Sequence, residues 1–249
     1  MIEYKTSKEI ASMCEGGALL RSVVKKIQPF IKIGVSTLEI EQVANKLILE
    51  AGGEPSFKKV KGYRWATCLP VNEQVVHTPP SKRILKNGDL FTLDIGMFYQ
   101  GFHTDFADTY VIGKTDAKYL QFLETGKQAL QEAIQVARAG QRLRDVSEVI
   151  EKRIEGAGYF ILRELTGHGI GRSLHEDPFV FGYLDKPKNK TRELKPGLVI
   201  AIEVIYSMGT REIAYEEGND WSIIAADKSM TACFEHTVAI GEKDTIVLT

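Results

Sequence analysis

Four carboxylates sit in stretches that otherwise read as buried strand. In LKPGLVIAIEVI, residues 194–205, every position from Leu198 to Ile205 is apolar except Glu203. Asp94 interrupts the apolar run LFTLDIGMFY, Asp105 lies beyond a turn from it in GFHTDF, and Glu235 interrupts ACFEHTVAI. A buried carboxylate left alone is costly or takes up a proton, and two without a cation repel. The chemistry these acids could do together is to hold a cation.

The spacing sharpens that reading. Two strands flanking a turn at about Tyr99 to Gly101 would form a hairpin with Asp94 and Asp105 side by side. Asp108 competes, but strand alternation puts it on the face opposite Asp105. Nitrogen donors come from GHGIGRSLHEDP, residues 167–178, with His168 and His175. Its glycines could also suggest a phosphate cradle, yet no strand-to-helix step ending in Lys-Ser/Thr follows. Glu235 and His236 are neighbours on one strand and must face opposite ways, so His236 is the poorest ligand if Glu235 is one. His103 shares the face of Asp105 and is a rival; His77 is the fifth histidine.

Helices must frame these strands. Thr6-Ser7-Lys8-Glu9 reads as a capping box, opening a helical stripe to about Ile27. Ser36-Thr37-Leu38-Glu39 repeats it for a helix stopped at Gly52-Gly53. Strands fill about 60 to 112, and helical patterns return at about 116 to 138 and 143 to 156. The order helix, helix, strands thus occurs twice, dividing a single domain of residues 1–249 at about 113/114. Gly34 to Gly52 laid over Gly140 to Gly158 matches at six positions, and LKNGDLFTLDI over LKPGLVIAIEV sets Asp94 on Glu203. Halves packed face to face about an approximate two-fold would bring these two acids to one centre.

Composition excludes several classes. The chain has 249 residues, 43% hydrophobic and 26% charged, with a net charge of −1, so it lacks the basic field that nucleic acid or an anionic membrane selects. The charged start MIEYKTSKEI has no apolar core, and no run of about 18 apolar residues occurs; a soluble, cytoplasmic protein is expected. Cys14, Cys68 and Cys233 are an odd number without CxxC spacing, which argues against both disulfides and a thiolate zinc site.

The ordered series VNEQVVH, LDIGMFYQGFHTD, GHGIGRSLHEDP, PGLVIAIE and FEHT resembles the methionine aminopeptidases, metallopeptidases of pita-bread fold, over nearly the whole chain from KTSKEIASM onward. Without a long insertion or an extra amino-terminal domain, it is most similar to their type I form. The resemblance implies an α+β fold, with a central antiparallel sheet covered by helices. It implies two divalent ions, Co, Mn, Fe or Zn, held by Asp94, Asp105, His168, Glu203 and Glu235, with Asp105 and Glu235 bridging. The activity implied is hydrolysis of the first peptide bond, removing methionine where the second residue is small. Glu203 would shuttle the proton, His175 would stabilise the oxyanion and His77 would hold the scissile amide. Tyr63, Cys68 and Trp221 would line the methionine pocket. The implied partners are N-terminal methionyl peptides and nascent chains, with the ribosome as a candidate contact and a monomer as the working form.

The match is not complete. The loop RWAT between Tyr63 and Cys68 is shorter than usual, Leu174 stands where an aromatic is common, Val204 replaces a proline and Cys233 a glutamine. These departures touch the pocket more than the acids. Two other readings stay in view: a related dimetal peptidase with an Xaa-Pro or other preference, and a binding module that kept the fold and lost catalysis.

Overall fold

The computed structural model describes residues 2–249, the side chain of Lys188 aside. Four α-helices carry the framework: α1 Ser7–Ile27, α2 Thr37–Glu50, α3 Ala117–Val136 and α4 Leu143–Gly156. Both expected capping boxes form, Glu9 N–H donating to Thr6 Oγ1 at 3.3 Å and Glu39 N–H to Ser36 Oγ at 3.3 Å. Each glutamate reaches back to the cap's own N–H, satisfying two donors that a helix start leaves free.

The strands in chain order are β1 Glu54–Pro55, β2 Thr67–Cys68, β3 Gln74–Val76, β4 Leu90–Tyr99, β5 Phe102–Val111, β6 Phe160–Ile161 and β7 Gly167–Gly169. Then come β8 Glu176–Val180, β9 Val199–Ser207, β10 Ile213–Tyr215, β11 Ile223–Ala225, β12 Thr231–Ile240 and β13 Thr245–Val247. The main sheet runs β1-β4-β5-β12-β9-β7-β8, with β2 beside β4, β6 on β9 and β13 on β12; a small sheet β10-β11-β3 stands apart. Every pairing is antiparallel. The α+β class expected from the sequence is what folds.

Alternation along the long strands separates the two faces. Phe91, Leu93, Ile95 and Met97 of β4 turn toward α1 and α2, and Ile200, Ile202, Val204 and Tyr206 of β9 turn toward α3 and α4. Fully burying one such side chain contributes roughly 1.5–3 kcal/mol, so each strand's register is strongly pinned. The intervening residues, Asp94 and Glu203 among them, must then face the other way. The β4/β5 turn is made by Gln100 and Gly101, both at positive φ (48° and 87°), the conformation of a two-residue hairpin.

One expectation is corrected. The two halves do not stack face to face. β5 and β12 pair through Glu235↔Ala107 and His236↔Phe106, so the halves join edge to edge in one sheet. The physical reason is that β5 and β12 each have a free ladder edge, and pairing them satisfies backbone groups that stacked halves would leave open. Among the described residues no helix is long and apolar enough to cross a membrane.

Candidate metal centre

Register brings the acids together. Asp94 lies opposite Ala107, Ala107 opposite Glu235, and Glu235 opposite Glu203, a straight cross-strand row over four strands. Asp105 is two residues from Ala107, hence on the same face one row along. His168 of β7 faces Ala201, two residues before Glu203, and so joins the same side. One ligand atom from each of Asp105, His168 and Glu235 lies within 4.8 Å of the others, and all three residues are buried.

The electrostatics of this group are unfavourable on their own. Burial, aggravated by neighbouring acids, pushes the carboxyls of Asp94, Glu203 and Glu235 well above the usual range, and burial raises Asp105 to about 7. Glu235 Oε1 is buried without a hydrogen-bond partner. The imidazole is prepared as a donor: Nδ1 of His168 is 2.8 Å from the Gly169 carbonyl, which can only accept, so Nδ1 carries the proton and Nε2 presents its lone pair. Burial, then the nearby His175, lowers the His168 pKa to about 3, which keeps the ring neutral. Its Nε2 is 3.4 Å from Glu203 Oε1, an arrangement of two electron-rich atoms that a cation between them would relieve. The residues fit a divalent metal: about −4 from the carboxylates, one neutral nitrogen and an orphaned oxygen.

The rivals are occupied elsewhere. His103 Nδ1 is 2.6 Å from Ser56 Oγ, and its ring does not line the cleft over the acids. Asp108 is on the opposite face, 3.7 Å from Lys127 Nζ. His236 points away from the acids and packs on Phe106, with ring centroids 5.5 Å apart.

The acids floor a cleft of about 480 Å³. His77 and His175 stand on its walls, where burial lowers both of their pKa values, the neighbouring His175 adding to the effect at His77, so each is neutral near pH 7. His175 stands edge-on to His168 at a centroid distance of 4.5 Å. Tyr63, Cys68 and Trp221 line the cleft too, and Tyr63 lies edge-on to Trp221 at 5.1 Å. Tyr63 Oη donates to the Thr67 carbonyl at 2.8 Å and lies 3.2 Å from Cys68 Sγ. Cys68 is opposite Asp94 in the β2/β4 ladder; burial and that acid hold its thiol protonated, so it supplies no thiolate. Leu174 lines the cleft, Val204 lies in the helix-facing core, and Cys233 is buried with its backbone bonded to Thr109. Sequence reasoning missed Phe57, Val60, Leu165, Thr166 and Phe179 of the wall. Leu165 and Thr166 directly precede GHGIG, a signal available in the letters; Phe57, Val60 and Phe179 carry none.

A buried group of acids and one imidazole, carried by an antiparallel sheet with helices behind it, is the architecture of a metallopeptidase. Residues 11–242 match the model of metallopeptidase family M24, and the chain belongs to that family. It is 38% identical to methionine aminopeptidase 1 of Bacillus subtilis over 249 residues, covering 100% of this chain and 99% of that protein. Methionine aminopeptidase of Escherichia coli is 32% identical over 250 residues, covering 100% of this chain and 94% of that one. Among solved structures, methionine aminopeptidase of Thermotoga maritima superposes with a TM-score of 0.96 at 34% identity, over 100% of this chain and 99% of that one. The prolidase of Pyrococcus furiosus shares the pita-bread fold, with a TM-score of 0.80 at 24% identity over 99% of this chain and 65% of that one.

Proposed function

We propose that this protein removes the N-terminal methionine from new polypeptides by hydrolysing the first peptide bond, acting as a monomer in the cytoplasm. The observation that supports this best is the Asp105, His168 and Glu235 cluster beneath a cleft walled by Tyr63, Cys68 and Trp221. Asp94, Asp105, His168, Glu203 and Glu235 would hold two divalent ions. When bound, such a pair lowers the pKa of water, polarises the carbonyl and receives the substrate's free amine.

The remaining work falls to the chain itself. Glu203, at the cleft floor, accepts a proton from water and returns it to the leaving amine. His175, neutral and beside His168, donates a hydrogen bond to the developing oxyanion, while His77 holds the scissile amide. The unbranched methionine side chain enters between Tyr63, Cys68 and Trp221, where aromatic edges and a protonated thiol offer soft, apolar contact. An oxygen-rich set with one nitrogen suits Mn, Fe or Co as well as Zn.

Incubation of metal-loaded protein with Met-Ala-Ser, Leu-Ala-Ser and Ala-Pro-Ala peptides tests this reading. Methionine is expected from the first alone. Alanine from the third would favour an Xaa-Pro peptidase, and silence on all three with Mn, Fe and Co would favour a binding module.

A further inference from the structure

Lys5 is the one buried lysine or arginine among the described residues, its side chain 1% exposed. Burying an unpaired ammonium is costly, and this one meets the carboxylate of Glu176, the residue after His175. Its Nζ also donates to the Glu3 carbonyl at 3.1 Å, and its backbone N–H to the Gly197 carbonyl at 2.7 Å.

The fold makes room for this contact at a recognisable cost in side chains. A Cβ on Gly171 would lie 2.6 Å from Lys5 Nζ and 2.9 Å from Glu176 Oε1, and a Cβ on Gly197 would lie 2.8 Å from the Lys5 carbonyl. Gly171 is the third glycine of GHGIG, and Lys5 accounts for it.

The partner of Lys5 organises a loop. Glu176 Oε1 accepts from Ser173 N–H at 3.1 Å, and Gly171 N–H donates to the Ser173 carbonyl at 3.0 Å. These bonds fold residues 171–176 into one turn around His175. Arg172 of the same turn pairs with Glu3 at 3.2 Å and with Glu9, though exposed pairs of this kind contribute little. A buried ion pair is likewise weak as a source of stability, since apolar replacements are often neutral; what it does supply is a fixed geometry.

We propose that Lys5 is a positioning residue for the reaction, fixing the Glu176 carboxylate so that the 171–176 turn aims His175 into the cleft. This rests on the reading of His175 as the oxyanion donor. Misplacing such a donor by about 1 Å costs on the order of 100-fold in rate, with little effect on substrate binding.

Kinetics of Met-Ala-Ser cleavage by metal-loaded full-length wild type, Lys5→Met, Lys5→Arg, His175→Ala and the Lys5→Met/His175→Ala double variant test it, with metal content measured for each. Lys5→Met is expected to lower kcat about 10- to 100-fold with KM and metal content unchanged. Lys5→Arg is expected to recover most of that loss, and Lys5→Met is expected to cost nothing further in the His175→Ala background. Should Lys5→Met not fold, Gly171→Ala, which crowds Nζ while keeping both charges, is expected to give the same kcat loss and the same silence in the His175→Ala background. An unchanged kcat, an equal loss in both backgrounds, or a loss that tracks metal content would overturn the proposal. A fully active His175→Ala overturns it as well, by removing the group Lys5 would serve. Failure of wild type to release methionine is a separate result: it defeats the functional reading before Lys5 is reached.

Discussion

Glu203 of β9 and Glu235 of β12 lie directly opposite one another in the antiparallel ladder, inside a sheet whose far face is packed with helices. Like charges so placed oppose folding unless protons or cations intervene. Glu235 Oε1 has no partner within the protein. Glu235→Gln keeps the volume and removes the charge; it is expected to lower metal content and methionine release together, by more than about 100-fold in kcat/KM. Asp105→Ala should do the same, because Asp105 belongs to the same close cluster with His168 and Glu235. Metal analysis beside kinetics checks both, and an active Asp105→Ala with full metal content would contradict the assignment.

The same crowding sets a pH dependence of opposite sign with and without metal. In the metal-free protein Asp94, Glu203 and Glu235 titrate well above the ordinary range and Asp105 at about 7, mainly through burial. Unfolded carboxyls titrate near about 4, so from there to about 7 the folded state holds more protons, and stability falls as pH rises. With metal, the ions bind the ionised forms, and stability is expected to rise across the same range. Thermal unfolding at pH 5 and pH 7, in chelator and in manganese, measures both trends. A chelated protein no less stable at pH 7 than at pH 5 would show that the acids are not held as described.

Much of this site was readable from spacing. A lone acid in an apolar strand marks the face that the core does not own, and Asp94, Asp105, Glu203 and Glu235 each announced it. Alternation also disposed of Asp108 and His236 correctly. What spacing could not show was how the halves meet. The β5/β12 pairing is a contact between residues more than 120 positions apart, and no local pattern encodes which free edge finds which. Phe57 and Phe179 were missed for the same reason: a wall residue differs from a core residue in what lies beyond it, and not in type.

The pocket wall offers a sharper test of specificity. Tyr63, edge-on to Trp221 and bonded to the Thr67 carbonyl, lines the cleft. Removing its hydroxyl in Tyr63→Phe leaves the ring contact and forfeits a hydrogen bond of about 1 kcal/mol, so KM for Met-Ala-Ser should rise no more than about fivefold. Trp221→Ala opens the wall instead and should raise KM for methionine substrates while improving relative cleavage of Leu-Ala-Ser. Equal selectivity in wild type and Trp221→Ala would place the methionine pocket elsewhere.

Two threonines separate structural from chemical support. Thr237 Oγ1 accepts from Asp105 N–H at 2.8 Å and donates to the Asp105 carbonyl at 2.9 Å. Thr109 Oγ1 does the same for Cys233, at 3.0 Å from its N–H and 2.9 Å from its carbonyl. All four residues are buried, so valine at either threonine strands a backbone donor and acceptor and should cost about 1–3 kcal/mol. The two variants are expected to diverge in metal binding. Thr237 fixes the backbone of a proposed ligand, whereas Thr109 fixes that of a thiol with no ligand role. Thr237→Val should therefore weaken manganese affinity about 10- to 100-fold, and Thr109→Val should leave it within about twofold despite a similar fall in melting temperature. Calorimetric titration of the metal-free variants measures the difference. Equal losses of affinity would mean that the centre responds to strand pairing as a whole, and that the Asp105 backbone has no special part in holding it.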